Sequence, residues 1–133
     1  MPVIIDTDVI IRGERGLFDL PTWLETQADD NPVVAAITVA ELWHGVQRAT
    51  ALHRSRRAAY LAMITAGVPI LPYTETTALE HACIWAELES SGKMIGYYDL
   101  IVAATALEHK STVATFNQRH FAKVPGLKLV IPA

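Results

Sequence analysis

Apolar residues along the chain fall into short unbroken runs that alternate with longer stretches of helical spacing. The β-branched run Val3–Ile5 is typical of a strand buried on both faces of a parallel sheet. Similar runs predict further strands at residues 33–37, 68–72, 112–116 and 127–131. Strands of this length, separated by helical stretches, indicate a mostly parallel sheet.

Cap residues and apolar positions at helical spacing predict the helices. Asp19 followed by Pro21 is typical of a helix start, and residues 38–41 match a capping box that opens another helix. Further helices are predicted at residues 51–66, 74–91 and 99–109, and loops at 12–16 and 92–98. The alternation predicts an α/β fold, a three-layer α/β/α sandwich around a mostly parallel central sheet.

Length and composition fit a single domain spanning residues 1–133. With 51% hydrophobic residues the chain can bury a substantial core. Cys83 is the only cysteine, so an internal disulfide is impossible and a reducing, cytoplasmic setting is expected. Apolar stretches are too short for a membrane span, and the N-terminus lacks a signal-peptide pattern, so we expect no membrane association. A mean hydropathy of +0.25 indicates apolar surface that a partner covers.

The net charge and the local distribution of charge support different expectations about nucleic-acid binding. A formal net charge of −3 argues against broad attraction to a polyanion. A basic run follows the Glu41 segment, however, and consists of Arg48, His53, Arg54, Arg56 and Arg57. It is either a solvated helix face or an edge that contacts phosphates, in which case Arg48 and Arg54 are candidate substrate contacts.

Three carboxylates stand where an apolar strand ends or a helix begins: Asp6, Glu41 and Asp99. In an open α/β sheet the carboxyl ends of the strands line one crevice, so acids distant in sequence can meet there. Carboxylates brought that close repel each other unless a proton or a cation intervenes. Their oxygens are the ligands that hard cations such as Mg²⁺ prefer. The sequence therefore predicts a divalent-metal site suited to phosphodiester hydrolysis.

Each acid also has a purely structural interpretation. Glu41 sits at the position of a capping box that would bond back to the Thr38 amide. Asp99 is placed to cap its own helix, and Asp8 suits a turn. The chain offers no phosphate-binding glycine loop, zinc-type Cys/His set or nucleophile elbow in their place.

The sequence resembles the PIN-domain nucleases, and especially the VapC-type toxins of bacterial toxin–antitoxin pairs. The resemblance covers nearly the full length and depends on the order and spacing of several short motifs. These are Val3-Ile4-Ile5-Asp6-Thr7-Asp8-Val9, Thr38-Val39-Ala40-Glu41-Leu42 followed by Gly45, Tyr98-Asp99-Leu100-Ile101-Val102-Ala103-Ala104-Thr105-Ala106, Val113-Ala114-Thr115-Phe116-Asn117, and His120-Phe121 through Val124-Pro125-Gly126-Leu127.

The resemblance implies a function for these residues. In the family, acids matching Asp6, Glu41 and Asp99 bind Mg²⁺ or Mn²⁺ and are needed to cleave RNA. A metal-activated water would attack a phosphodiester and leave a 3′-hydroxyl and a 5′-phosphate. The resemblance also implies a homodimer, and a cognate antitoxin protein whose extended tail occupies the active-site groove.

One departure concerns the segment around residues 115–121, where the family usually supplies a fourth polar or acidic group. Many members carry an acid where this chain has His120, and Asn117 matches a position that is often Asn or Asp. Asn117 would orient water or phosphate, and His120 is either a phosphate contact or a surface residue. Thr7 and Thr115, which flank the acids, are further candidate substrate contacts.

Two alternatives belong to other classes of protein. Asp6 and Asp8 also resemble the D-x-D motif of haloacid-dehalogenase phosphatases, in which the first aspartate is a nucleophile. Those enzymes need a further acidic pair late in the chain, whereas Asp99 stands alone. The second alternative is a PIN-fold binding module without catalytic activity, since fold does not fix function. The sequence favours a metal-dependent ribonuclease that acts as a toxin.

Overall fold

The computed structural model describes residues 2–133. Its elements, in chain order, are β1 Val3–Ile5, α1 Thr7–Glu14, α2 Leu20–Thr26, a 3₁₀ turn Ala28–Asp30, β2 Pro32–Ala35, α3 Ala36–Arg48, α4 Ala51–Gly67, β3 Ile70–Leu71, α5 Glu75–Ser90, α6 Tyr97–Glu108, β4 Thr112–Ala114, α7 Gln118–Phe121 and β5 Lys128–Val130. Among these residues, no helix is both long and apolar enough to cross a membrane.

The strands form one five-stranded parallel sheet in the order β3-β2-β1-β4-β5. Strand β1 is central, and the chain proceeds to β2 on one side and returns later to β4 on the other. The point where the strand order reverses is where open α/β sheets form a ligand crevice at their carboxyl ends. Asp6 follows β1 and Thr115 follows β4, and the Asp6 amide bonds the Ala114 carbonyl at 2.9 Å.

Helices cover both faces of the sheet, as the predicted three-layer sandwich requires. Because successive side chains of a strand point to opposite faces, Ile4 packs under α5 and α6 while Val3 and Ile5 pack under the other helices. Leu88 and Leu100 are central to the first layer, with α7 closing it. Helices α1 to α4 make up the second layer. The predicted fold class is confirmed.

Several predicted boundaries were wrong. Residues 12–16 were predicted as a loop, but α1 continues to Glu14 and only Gly16 takes a positive φ, of +72°. Strand β2 ends at Ala35 and α3 begins at Ala36, so residues 36–37 are helical rather than extended. Helix α6 begins at Tyr97, inside the predicted 92–98 loop. Helix α1 and the short helix α7 were not predicted.

A candidate acidic active site

Asp6 is the most buried acid of the site. It caps the N-terminus of α1, and its side chain is 4% exposed. One carboxylate oxygen accepts from the Thr7 amide and the other from the Thr115 hydroxyl, both at 2.8 Å. Removal from water is the main reason why its pKa rises from an ordinary 3.8 to about 7, with the charges of Asp8 and Asp99 adding to the rise.

Asp8 belongs to the same cluster, although the sequence suggested only a turn residue. It lies in the first turn of α1. Its carboxylate accepts from the Phe116 amide at 3.1 Å and from the Thr115 hydroxyl at 3.4 Å. Burial raises its pKa as well. The spacing Asp6-x-Asp8 across a helix start was the available signal, because two residues of one first turn can face the same strand end.

Glu41 joins this cluster from α3, and the predicted capping box is wrong. Helix α3 begins at Ala36, with Ala35 as an N-cap that makes no side-chain bond, so Glu41 lies in the second turn. Its carboxylate instead accepts from the Thr7 hydroxyl at 2.8 Å. Burial raises its pKa, and the charge of Asp99 adds to this effect. Thr38 is fully buried, and its hydroxyl has no hydrogen-bond partner among residues 2–133.

Asp99 approaches from α6 and is more exposed. Gly96 is the N-cap of this helix, and Asp99 lies within its first turn. Asp99 is therefore not the cap that the sequence allowed. His120 Nδ1 lies 3.4 Å from an Asp99 carboxylate oxygen and 3.0 Å from the side-chain Nδ2 of Asn117. When Nδ1 carries a proton it can donate to Asp99, and when it carries none it can accept from Asn117 Nδ2.

The two threonines predicted as substrate contacts bond to the acids in this structure. The Thr7 hydroxyl donates to Glu41, and the Thr115 hydroxyl donates to Asp6. The Thr115 hydroxyl oxygen also accepts from the backbone N–H of Asn117 at 2.9 Å. These hydroxyls fix the directions of two carboxylates, one at the N-cap of α1 and one in α3.

The arginines of the basic run differ in the contacts that they make. Arg54 donates to the carbonyls of Ala49 at 3.2 Å and Gln47 at 3.5 Å, where it satisfies the end of α3. Arg57 lies 3.6 Å from the Glu14 carboxylate. Arg48 is exposed on the last turn of α3. Arg48 and Arg54 are both exposed, but the Arg54 guanidinium already donates to backbone carbonyls.

Two depressions flank Glu41. One has a volume of about 350 Å³ and is lined by Ile37, Ala40, Glu41, His44 and Tyr98. The other, on the side of α1 and α4, has a volume of about 130 Å³ and includes Ile10, Leu42 and Leu61. Glu41 therefore lies beside two surface concavities that a ligand can enter.

The donor chemistry of the site suits a divalent cation. Among residues 2–133, no three His, Cys, Asp or Glu side chains stand close enough to enclose a metal ion. The charge of Asp99 nevertheless contributes to the raised pKa of both Asp6 and Glu41, so Asp99 repels each of these two acids. Mg²⁺ commonly keeps several waters and takes only one or two carboxylates. An open cluster of carboxylates with mutual repulsion therefore fits such an ion.

Comparison with known proteins places the chain in a family. The model of the PIN domain matches residues 3–127, and a protein called Ribonuclease VapC from Rickettsia bellii is 30% identical over 98% of this chain and 96% of that protein. The chain therefore belongs to the PIN domain family, as the resemblance implied.

Solved structures agree on the fold. The structure of VapBC2 from Rickettsia felis bound to a promoter DNA fragment has a TM-score of 0.92, at 23% identity over 100% of both chains. A member of the VapBC family of toxin–antitoxin systems from Mycobacterium tuberculosis, VapBC-5, has a TM-score of 0.74 and 25% identity, covering 99% of this chain and 98% of that one.

Proposed function

We propose that this protein is a metal-dependent endoribonuclease that acts as the toxin of a toxin–antitoxin pair. The observation that carries the proposal is the convergence of Asp6, Glu41 and Asp99, from three elements, at the point where the strand order reverses. The relatives named as VapC ribonucleases support the reaction, since the similarity extends over nearly the whole chain.

Asp6, Glu41 and Asp99 would hold Mg²⁺ or Mn²⁺. The bound ion would supply activation of water and stabilisation of charge on the phosphoryl group. The hydroxyls of Thr7 and Thr115 keep the carboxylates of Glu41 and Asp6 pointed into the site. Asn117 bonds to Thr115, His120 lies beside Asp99, and both side chains would contact the phosphate of the RNA.

One observation favours hydrolysis of RNA over the phosphatase alternative. The PIN domain model matches residues 3–127, which is most of the chain. A covalent intermediate trapped on Asp6 would contradict this reasoning.

Partners follow from the same proposal. The VapBC relatives support a cognate antitoxin that covers the acidic groove. A homodimer is supported by α5, whose exposed side carries Leu79, Ala82, Cys83 and Ala86 at helical spacing. An aliphatic stripe of this kind suits packing against a second copy.

The decisive experiment incubates purified protein with total RNA and maps the cleaved ends. We expect cleavage with Mg²⁺ or Mn²⁺, none in excess chelator, and loss of cleavage in Asp99→Asn. The matched control is Asp29→Asn, the same chemical change on the exposed 3₁₀ turn, which should cleave like the wild type. Full activity in chelator would contradict the metal mechanism, and an inactive wild type that binds metal would indicate a silent PIN module.

A cellular test addresses the toxin role. Expression of the wild-type chain alone should arrest growth, while Asp99→Asn and co-expression of the neighbouring small gene product should both relieve the arrest. Harmless expression of a protein that cleaves RNA in vitro would remove the toxin role and leave the enzyme.

A further inference from the structure

The larger of the two depressions beside Glu41 lies between α3 and α6, and we call it the Tyr98 pocket. Its lining residues are Tyr98 of α6 and, from α3, Ile37, Ala40, Glu41 and His44. Helix positions three and four residues apart share one face, so His44 lies on the same face of α3 as Glu41. The buried residues of α3 follow a different face, and they are Thr38, Leu42 and Val46.

The Tyr98 pocket adjoins the acidic site. Glu41 belongs to both, and Tyr98 directly precedes Asp99 in the first turn of α6. The charge of Asp99 contributes to the raised pKa of Glu41, so these two carboxylates are close in space. A nucleobase is joined to its phosphate through a single sugar. A base next to a phosphate bound at these acids can therefore reach the pocket.

The lining of the Tyr98 pocket combines an aromatic ring, apolar side chains and an imidazole. Tyr98 is 56% exposed, and Ile37 and Ala40 contribute apolar surface. His44 is exposed, and a neutral imidazole offers one donor and one acceptor. A flat heterocycle with hydrogen-bonding groups along its edge, such as a nucleobase, matches this combination.

Size distinguishes the two depressions beside Glu41. Sites for small ligands usually have volumes of roughly 300–1,000 Å³. The Tyr98 pocket, at about 350 Å³, lies within this range. The depression on the side of α1 and α4, at about 130 Å³, lies below it, and its lining includes the aliphatic Ile10, Leu42 and Leu61. The Tyr98 pocket is therefore the better fit for a base.

We propose that the Tyr98 pocket binds the nucleobase next to the cleaved bond and selects it through hydrogen bonds to His44. This inference rests on the proposed ribonuclease function and adds to it the residues that determine where RNA is cut. Tyr98 supplies a face on which every base can stack, so it contributes affinity without selectivity. His44 contacts the edge, where bases differ in their donors and acceptors, so it contributes selectivity.

The first test cleaves a pool of RNA oligonucleotides of random sequence with purified protein and Mg²⁺ or Mn²⁺, and sequences the ends. Wild type should prefer one base at a position next to the cleaved bond. His44→Ala should make cleavage nearly independent of the base at that position. Tyr97→Ala is the matched control for Tyr98, because Tyr97 is 70% exposed in the same turn but packs against Trp85 of α5. It should keep the wild-type preference and rate.

The second test measures steady-state kinetics on one oligonucleotide that carries the preferred base. Tyr98→Ala should raise KM about tenfold and leave kcat nearly constant, since one stacked base contributes on that scale. Tyr98→Phe should stay close to wild type, because it keeps the ring. Ala40→Leu should raise KM as well, because it fills the pocket from an exposed position of α3. It tests the pocket independently of whether Tyr98→Ala folds.

Other results would contradict the base pocket. If wild type shows no preference at the flanking positions, or His44→Ala keeps that preference, the pocket selects no base and the ribonuclease stands. If Tyr98→Ala lowers kcat at unchanged KM, Tyr98 positions Asp99 instead of a base. If Tyr98→Ala converts a dimer to a monomer with unchanged KM, a second copy covers the pocket. A wild type that cleaves no RNA would remove both proposals.

Discussion

The acidic site has a buried half and an exposed half that are constructed differently. In the buried half, Asp6 and Asp8 share the Thr115 hydroxyl, and Asp6 is almost inaccessible to water. In the exposed half, the Asp99 side chain is 24% exposed and its neighbour His120 is 48% exposed. The first half is held by short bonds to fixed donors, and the second by an imidazole whose proton decides its partner.

The difference indicates a division of roles. The buried half is preorganised, and holding carboxylates in that environment costs folding free energy. The exposed half costs less folding free energy, and its side chains can adjust to a ligand. A cluster arranged in this way would offer a fixed position for a cation and an adaptable border for the substrate.

The largest expected effect comes from removing one charge in either half. Asp6→Asn and Asp99→Asn should each lower cleavage at least about 100-fold, because charge stabilisation by a metal amounts to several kcal/mol. Their stabilities should separate the halves: at pH 8 and without metal, Asp6→Asn should unfold at higher urea than wild type and Asp99→Asn at about the same concentration. Equal stabilisation by both would mean that the two halves are not distinct.

Asp6 should also make the stability of the metal-free protein depend on pH. Its pKa is about 7 in the folded chain against an ordinary 3.8, so the folded state binds the proton more tightly. No penalty exists below about pH 3, where both states are protonated, and the full penalty exists above about pH 8, where both are ionised. Wild type should lose on the order of 4 kcal/mol more than Asp6→Asn between these limits, because the two pKa values differ by about three units. Parallel pH curves from urea unfolding would contradict this cause.

A third comparison removes the groups that orient the acids. Thr115→Val deletes the hydroxyl that donates to Asp6 and accepts from the Asn117 amide, so it leaves buried polar groups without partners. We expect a loss of about 1–2 kcal/mol in the free energy of unfolding. Asn117→Ala, in the exposed half, should change it by less than about 0.5 kcal/mol. A stable Thr115→Val would show that the buried half is not held by this hydroxyl.

The smallest effect is expected at His120. If His120 only borders the phosphate, His120→Gln should lower cleavage less than about tenfold, since loss of a general acid or base costs about 10²–10⁴-fold. The rate should be measured over pH 6 to 8 at saturating metal. A hundredfold loss together with a missing limb of the pH profile would give His120 a direct part in proton transfer.

The elements that the sequence predicted well carry their signals locally. Strand β1 is an unbroken β-branched run, α2 has Asp19 bonded to the Thr22 amide, and α5 has a capping box at Thr74. The PIN resemblance is confirmed by the family match. The position of the acids at strand ends and helix starts, together with this resemblance, led to Asp6, Glu41 and Asp99, whose catalytic roles remain predictions.

The failures arose where tertiary contacts decide local structure. Gly13 was taken for a loop residue, but in α1 a Cβ at this position would overlap the Tyr60 hydroxyl and meet the Leu20 Cβ at 2.9 Å. It is a glycine of close packing rather than of a turn. Likewise, Glu41 bonds the Thr7 hydroxyl, 34 residues away in sequence. The capping-box pattern covers only four residues, and it predicted the Thr38 amide as the partner instead.

The position of β1 has a consequence for synthesis on the ribosome. Its neighbour β4 and the hydroxyl that orients Asp6 come late in the chain, with Asp6 and Thr115 separated by 109 residues. Contacts so distant form only after the intervening chain has emerged and closed a long loop. A nascent chain that has not yet reached β4 therefore has an incomplete acidic centre. A protein that cuts RNA is in this way inert while its own message is still being read.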